Sequence, residues 1–114
     1  MKDLLAYLDP FRQWAKADPE RLIAYLRDPK SPPARLTFAA EVAGEILRSD
    51  ATQEALMTLT RHDKAVVREG AIIGLGNLGD CPGPSIVRRI REMATGDPSP
   101  GVRSVAEGFL DGMA

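Results

Sequence analysis

The chain has 114 residues, a length that suits one folded domain, and its formal net charge of −1 predicts no strong attraction to nucleic acid or to an anionic membrane. Hydrophobic residues make up 44% and charged residues 27%, as in ordinary globular proteins, and no apolar run reaches the roughly 20 residues of a membrane span. Because the one cysteine, Cys81, permits no internal disulfide and the N-terminus lacks a signal-peptide pattern, we expect a cytoplasmic, reduced protein.

Prolines divide the chain into segments whose apolar residues recur at three- and four-residue spacing, the pattern of amphipathic helices. Residues 2–8 and 10–17 predict a short or kinked N-terminal helical pair, with its second member beginning at Asp9-Pro10. Asp18-Pro19, Ser31-Pro32 and Ser99-Pro100 likewise each predict a cap followed by the first helical residue, and Asp50 with Gln53 resembles a capping box. The remaining helices are predicted over residues 19–27, 32–48, 51–61, 64–78, 84–95 and 100–112.

One motif occurs twice in the second half of the chain, as VVREGAIIGLGNLGD over residues 66–80 and as GVRSVAEGFLDGMA over residues 101–114. Arg68 and Arg103 take equivalent places. An alanine follows each arginine after three residues and a leucine after seven, and an aspartate stands in the turn before each copy. The motif therefore predicts a structural repeat.

A weaker copy, ARLTFAAEVAGEI over residues 34–46, fits when Leu36 takes the place of the arginine. The three copies then recur about every 32 to 35 residues, a period typical of stacked helical repeats. No segment alternates cleanly at period two, so the sequence predicts an all-α chain.

The run GLGNLG, Gly74 to Gly79, is similar to a dinucleotide-binding loop. Such a loop joins a strand to a helix, however, and no strand is predicted anywhere in the chain. We interpret Gly74 and Gly76 as residues inside a helix that packs closely on its neighbours. Gly79 is expected just after the end of that helix, where a left-handed backbone is needed.

The segment VREGAIIGLGNLGD, residues 67–80, resembles the second helix of a HEAT repeat, in the short bacterial form shared with bilin-lyase-type repeats. Val67 and Arg68 match its beginning, and Gly79 with Asp80 match its end. The resemblance implies a right-handed α-solenoid in one domain, residues 1–114. Its parts would be an N-terminal cap over residues 1–17 and helix pairs over residues 19–48, 51–79 and 84–113.

The residues indicate no catalytic, cofactor or metal site, so we expect neither an enzyme nor a cofactor. His62 and Cys81 are single residues of their types, and no pair of carboxylates can be placed as general acid and base. The resemblance implies that Arg68 and Arg103 pair with turn aspartates in an internal ladder rather than binding an anion. The basic cluster Arg88-Arg89-Ile90-Arg91 is interpreted as a solvated face.

The resemblance implies that the exposed surface of the second helices binds another protein, which would make the chain a scaffold or adaptor. The alternatives are a bilin or tetrapyrrole lyase-like or chaperone protein, and a HEAT-like nucleic-acid binder. Apolar side chains recur at the predicted outward positions, either as anchors for a partner or tucked against adjacent helices. The candidate binding residues are Phe38, Glu41, Glu45, Gly70, Ile73, Asn77, Val105 and Gly108.

Overall fold

The computed structural model describes residues 2–79 and 82–113, with side chains from Pro10 onward, and within these residues it contains helices and no strand. The all-α prediction is therefore confirmed. The predicted turn residue Cys81 and the motif residue Asp80 lie outside the described residues. The helices are α1 (Lys2–Ala17), α2 (Pro19–Arg27), α3 (Pro33–Ile46), α4 (Asp50–Leu59), α5 (Ala65–Asn77), α6 (Pro84–Gly96) and α7 (Pro100–Asp111).

The N-terminal segment forms one helix, α1, where the sequence predicts a pair divided at Asp9-Pro10. A proline inside a helix removes one hydrogen bond and crowds the preceding turn. Phe11 and Ala15 follow Pro10 and are buried, and the Phe11 ring contacts the Tyr25 ring at a centroid distance of 5.2 Å. The packing of Phe11 and Ala15 thus outweighs the preference of Pro10 for the first turn of a helix.

Two serines cap helices with their hydroxyl groups. Ser99 precedes α7 as predicted, and its Oγ accepts a hydrogen bond from the Val102 N–H at 3.3 Å. Ser49 precedes α4, and its Oγ accepts from the Thr52 N–H at 3.2 Å. The predicted cap at Asp50 is therefore wrong by one residue, because Asp50 is already the first residue of the helix.

The proline pattern predicts the start of α2 correctly but places the start of α3 one residue too early. α2 begins at Pro19 after Asp18, as predicted, although Asp18 makes no capping hydrogen bond. α3 begins one residue later than predicted, with Pro32 in the cap position. The Ser31 hydroxyl is not available as a cap because it donates to the Tyr25 carbonyl oxygen at 2.8 Å.

The helices form a solenoid-like stack in which α3 packs against α1 on one side and α5 on the other, and α5 also packs against α7. α4 contacts both α2 and α5, and α6 packs on α7. The alanine of the repeated motif, Ala39, Ala71 and Ala106, is fully buried in all three copies. This confirms the repeat register with Leu36 in the arginine place, and one core cluster runs through the stack.

Glycines bring α3 and α5 into backbone contact. A Cβ atom added to Gly74 would lie 2.5 Å from the Ala40 carbonyl oxygen, and one added to Gly44 would overlap the Gly74 carbonyl. Gly79 follows the end of α5 with φ of +81°. The interpretation of GLGNLG as the end of a helix is confirmed, as are the close packing at Gly74 and the left-handed backbone at Gly79. Gly76 is exposed instead, and a Cβ there would lie at an ordinary contact distance from the Phe109 ring.

Candidate interaction surface

The second helices α3 and α5 pack against each other, and each carries exposed and half-buried side chains along one side. On α3 this side carries Phe38, Glu41 and Glu45, and on α5 it carries Val66, Glu69 and Ile73 at the same three- and four-residue spacing. We define these six residues as the second-helix surface.

Two hydrogen bonds join the α3 and α5 parts of the second-helix surface. The Asn77 Nδ2 donates to the Glu41 carbonyl oxygen at 3.2 Å, and the Thr37 hydroxyl donates to the Val66 carbonyl oxygen. One bond ties α5 to the backbone of Glu41 on α3, and the other ties α3 to the backbone of Val66 on α5. The two sets of side chains therefore lie side by side on one surface.

Three large apolar side chains on this surface are exposed: Phe38 by 40%, Ile73 by 38% and Val66 by 44%. The sequence leaves open whether Phe38, Ile73 and Val105 are anchors or are tucked between helices. The structure places Phe38 and Ile73 at the surface, whereas Val105 is half-buried and packs against the core. Exposed apolar residues that are grouped in this way are typical of interaction sites.

The other candidate binding residues do not all lie at the surface. Asn77 and Gly108 are exposed, but Gly70 is buried between α3 and α5, where an added Cβ would overlap the Thr37 hydroxyl. Gly70 is therefore not on the surface, contrary to its predicted outward position. The reason is the close approach of the two helices, which turns this side of α5 toward α3.

Sequence reasoning missed Val66 and Glu69 as surface residues. Their positions follow from the line along which α5 touches α3, which is marked by Gly70 and Gly74. Small residues spaced by four on α5, facing Ala40 and Gly44 on α3, are the signal that could have located this contact line. Counting outward positions from Arg68 gives Gly70, Ile73 and Asn77, of which Gly70 is buried.

The carboxylates of the surface differ in their surroundings. Glu45 pairs with Arg12 of α1, with Oε2 3.2 Å from Nη2, and both side chains are about half exposed. Glu41 is more buried, and burial raises the pKa of its carboxyl above the ordinary value. Among the described residues, no cationic side chain forms an ion pair with Glu41.

Arg68 forms a structural cluster with the α4–α5 turn of its own repeat and the α6–α7 turn of the next repeat. Its Nε and Nη2 atoms donate to the two Asp97 carboxylate oxygens, each at 3.0 Å. Its Nη1 atom donates to the carbonyl oxygens of His62 and Asp63 at 2.8 and 3.1 Å. Arg103 donates to the Asp97 carbonyl oxygen at 2.6 Å. The predicted pairing with a turn aspartate is confirmed for Arg68, whose hydrogen bonds are all made within the protein, whereas Arg103 reaches Asp97 only at its backbone carbonyl.

The charge of Asp97 is fixed by this cluster. Burial of the Asp97 carboxyl raises its pKa, but hydrogen bonds from Arg68 and from the Ser99 N–H, with the positive charges of Arg68 and Arg89, outweigh burial. The pKa of Asp97 is therefore held below its ordinary value. The carboxylate stays ionised at neutral pH and stabilises the joint between the second and third repeats.

The predicted solvated face on α6 is only partly solvated. Arg88 and Arg91 are exposed, but Arg89 donates to the Thr60 hydroxyl at 3.1 Å and to the Thr60 carbonyl oxygen at 2.9 Å. His62 is equally engaged, because its Nδ1 accepts from the Lys64 N–H at 3.0 Å. Both residues have structural roles at the helix turns.

Over residues 2–79 and 82–113, no group of three or more His, Cys, Asp or Glu residues could hold a metal ion. None of the described helices combines the length and the apolar character needed to cross a bilayer.

A family model described as HEAT repeats matches residues 19–110, which include α2 to α6 and most of α7. No curated protein and no solved structure matches the chain.

Proposed function

The chain belongs to the HEAT-repeat family, and from this premise we propose that it is a non-enzymatic, protein-binding module that holds its partner on the second-helix surface. HEAT repeats are commonly protein-interaction modules. In the cell the protein would act as a scaffold or adaptor in the cytoplasm.

The observation that carries this proposal is the grouping of Phe38, Val66 and Ile73 on one exposed side of two adjacent helices. Removing such side chains from water is the main favourable term in protein association, and a few central apolar anchors often dominate the binding energy. A surface of this kind fits a protein segment that brings apolar side chains of its own.

Nucleic acid is not favoured as the ligand of this surface. Affinity for nucleic acid comes mainly from lysine and arginine side chains that neutralise phosphates. The charged members of the second-helix surface are instead carboxylates, Glu41, Glu45 and Glu69, which repel phosphate.

Affinity capture from native lysate tests the proposed function. The baits are the wild-type chain, the double variant Phe38→Gln/Ile73→Gln, and the control Val87→Gln, which replaces a half-buried apolar residue on α6. We expect one or more proteins to be retained by the wild type and by Val87→Gln and to be lost with the double variant. Circular dichroism establishes that all three baits are folded.

The result that would contradict the proposal is equally specific. If every protein retained by the wild type is also retained by the folded double variant, the second-helix surface is not the binding site. Mass spectrometry of the bound fractions gives this comparison directly.

A further inference from the structure

The second-helix surface is acidic as well as apolar. Its charged side chains are Glu41, Glu45 and Glu69. The arginines of the same helices are directed elsewhere, since the Arg35 guanidinium lies 5.6 Å from the Phe11 ring centroid, Arg68 binds Asp97, and Arg103 reaches the Asp97 carbonyl. The surface therefore has a local negative charge that the overall value of −1 conceals.

Glu41 is the carboxylate at the centre of this surface. It lies one helical turn after Phe38, and its carbonyl oxygen accepts a hydrogen bond from Asn77, which lies one turn after Ile73. Phe38 is therefore one helical turn from Glu41, and Ile73 is one helical turn from Asn77, which contacts Glu41. A partner that covers Phe38 and Ile73 must also cover Glu41.

Covering Glu41 has an electrostatic consequence. A carboxylate that loses water without gaining a cation or hydrogen-bond donors is strongly unfavourable, whereas a cation placed beside it in a poorly solvated site is attracted more strongly than in water. Glu45 already has Arg12, but the charge of Glu41 is not balanced by an ion pair within the described chain. A partner that covers Glu41 is therefore favoured if it supplies this cation.

We infer that the second-helix surface binds a cationic amphipathic segment of a partner protein, whose apolar side chains contact Phe38 and Ile73 and whose lysine or arginine pairs with Glu41. This inference rests on the proposed function and specifies the chemistry of the partner. Glu69, on the neighbouring helix, provides a second negative charge for a longer basic segment.

A pair of labelled peptides tests the charge requirement. One is an amphipathic helix of leucine and lysine about 18 residues long, or about 27 Å as a helix. The other has glutamate in place of every lysine. The length suits a molecule with extents of 38 × 27 × 25 Å. We expect only the lysine peptide to bind, and its affinity to fall at least about fivefold between about 0.05 and 0.5 M NaCl because salt screens charge attraction.

Matched variants test the position of the charge. Glu41→Gln should weaken binding of the lysine peptide about fivefold, the effect of losing an ion pair worth about 1 kcal/mol. Glu20→Gln removes the same charge from an exposed site on α2 and should change the affinity by less than about twofold. Phe38→Gln should also weaken binding, because it removes the apolar contact.

Several results would overturn the inference. If the glutamate peptide binds as tightly as the lysine peptide, the partner need not be cationic. If Glu41→Gln and Glu20→Gln weaken binding of the lysine peptide equally, the effect comes from the net charge of the protein and not from the position of Glu41. A second copy of the chain is the rival occupant, because α6 exposes Arg88 and Arg91. Concentration-dependent dimerisation that Arg88→Gln/Arg91→Gln abolishes would establish that rival.

The two proposals can fail separately. If a captured partner is lost with Phe38→Gln/Ile73→Gln but is retained by Glu41→Gln at every salt concentration, the proposed function stands and the cationic partner is wrong. If capture does not depend on Phe38 and Ile73, the proposed function itself is wrong.

Discussion

Arg68 donates hydrogen bonds to four oxygen atoms at the turns of two repeats with a single guanidinium group, and its ion pair with Asp97 is largely buried, with side chains 12% and 6% exposed. Arg68→Ala leaves the Asp97 carboxylate buried without its cation. We expect a loss of about 3 kcal/mol in the free energy of unfolding, measured by urea denaturation. This is a large part of the about 5–15 kcal/mol typical of a folded domain.

Arg12→Ala is the matched control for Arg68→Ala. The Arg12–Glu45 pair has side chains that are 43% and 53% exposed, so water and salt screen it. Its loss should cost less than about 1 kcal/mol. Equal losses in the two variants would show that the buried cluster has no special role in stability.

Acid should selectively remove the contribution of Asp97. Because the folded-state pKa of Asp97 is lowered, its stabilisation is fully present above the unfolded-state pKa of about 3.9 and is lost as pH falls through the folded-state pKa. The free energy of unfolding of the wild type should therefore exceed that of Asp97→Asn at about pH 6, and the difference should shrink below about pH 4. A difference that stays constant down to about pH 2 would contradict this assignment.

At the scale of helices, Gly74 controls how closely α5 approaches α3. Alanine is roughly 1 kcal/mol better than glycine inside a helix, but its Cβ would meet backbone atoms of Ala40 here. We expect Gly74→Ala to lower the free energy of unfolding by about 1–3 kcal/mol, because backbone cannot move aside as a side chain can.

Gly108→Ala makes the same chemical change where a Cβ would meet nothing within 4 Å. It should raise the free energy of unfolding by up to about 1 kcal/mol. Thermal unfolding of both variants is the measurement. A stabilising Gly74→Ala would mean that α3 and α5 are not in backbone contact.

Sequence predicts the helices and the repeat register well, because the buried alanines Ala39, Ala71 and Ala106 recur with the motif. It predicts the surface less well. Which side of α5 is exposed depends on the rotation of the helix against α3, and this rotation is set by contacts between residues far apart in sequence, such as Gly44 with Gly74. The continuity of α1 through Pro10 could not be predicted for the same reason, because it depends on the packing of Phe11 against Tyr25 of α2.

At the scale of the whole molecule, one core cluster runs from Phe11 in α1 to Ala106 in α7, which favours a single cooperative unfolding transition. Trp14, the only tryptophan, packs against both the Phe11 and Tyr25 rings and beneath the Arg21 guanidinium, so its fluorescence reports the docking of α1. We expect its transition in urea to coincide with that of the helical circular dichroism signal. An earlier fluorescence transition would show that α1 detaches separately from the stack.

The glycine contacts also determine where the molecule can bend. α3 and α5 meet backbone to backbone at Gly44 and Gly74, and a contact of this kind resists compression because no torsion can relieve it. α5 and α7 are also in contact at the Phe109 ring, to which a Cβ on Gly76 would lie 3.5 Å away, and a ring can tilt about its side-chain torsions. We therefore expect the contact between α3 and α5 to yield less to bending than the contact of α5 with the Phe109 ring. A partner that flexes the protein would move α7 while the spacing between Phe38 and Ile73 stays fixed.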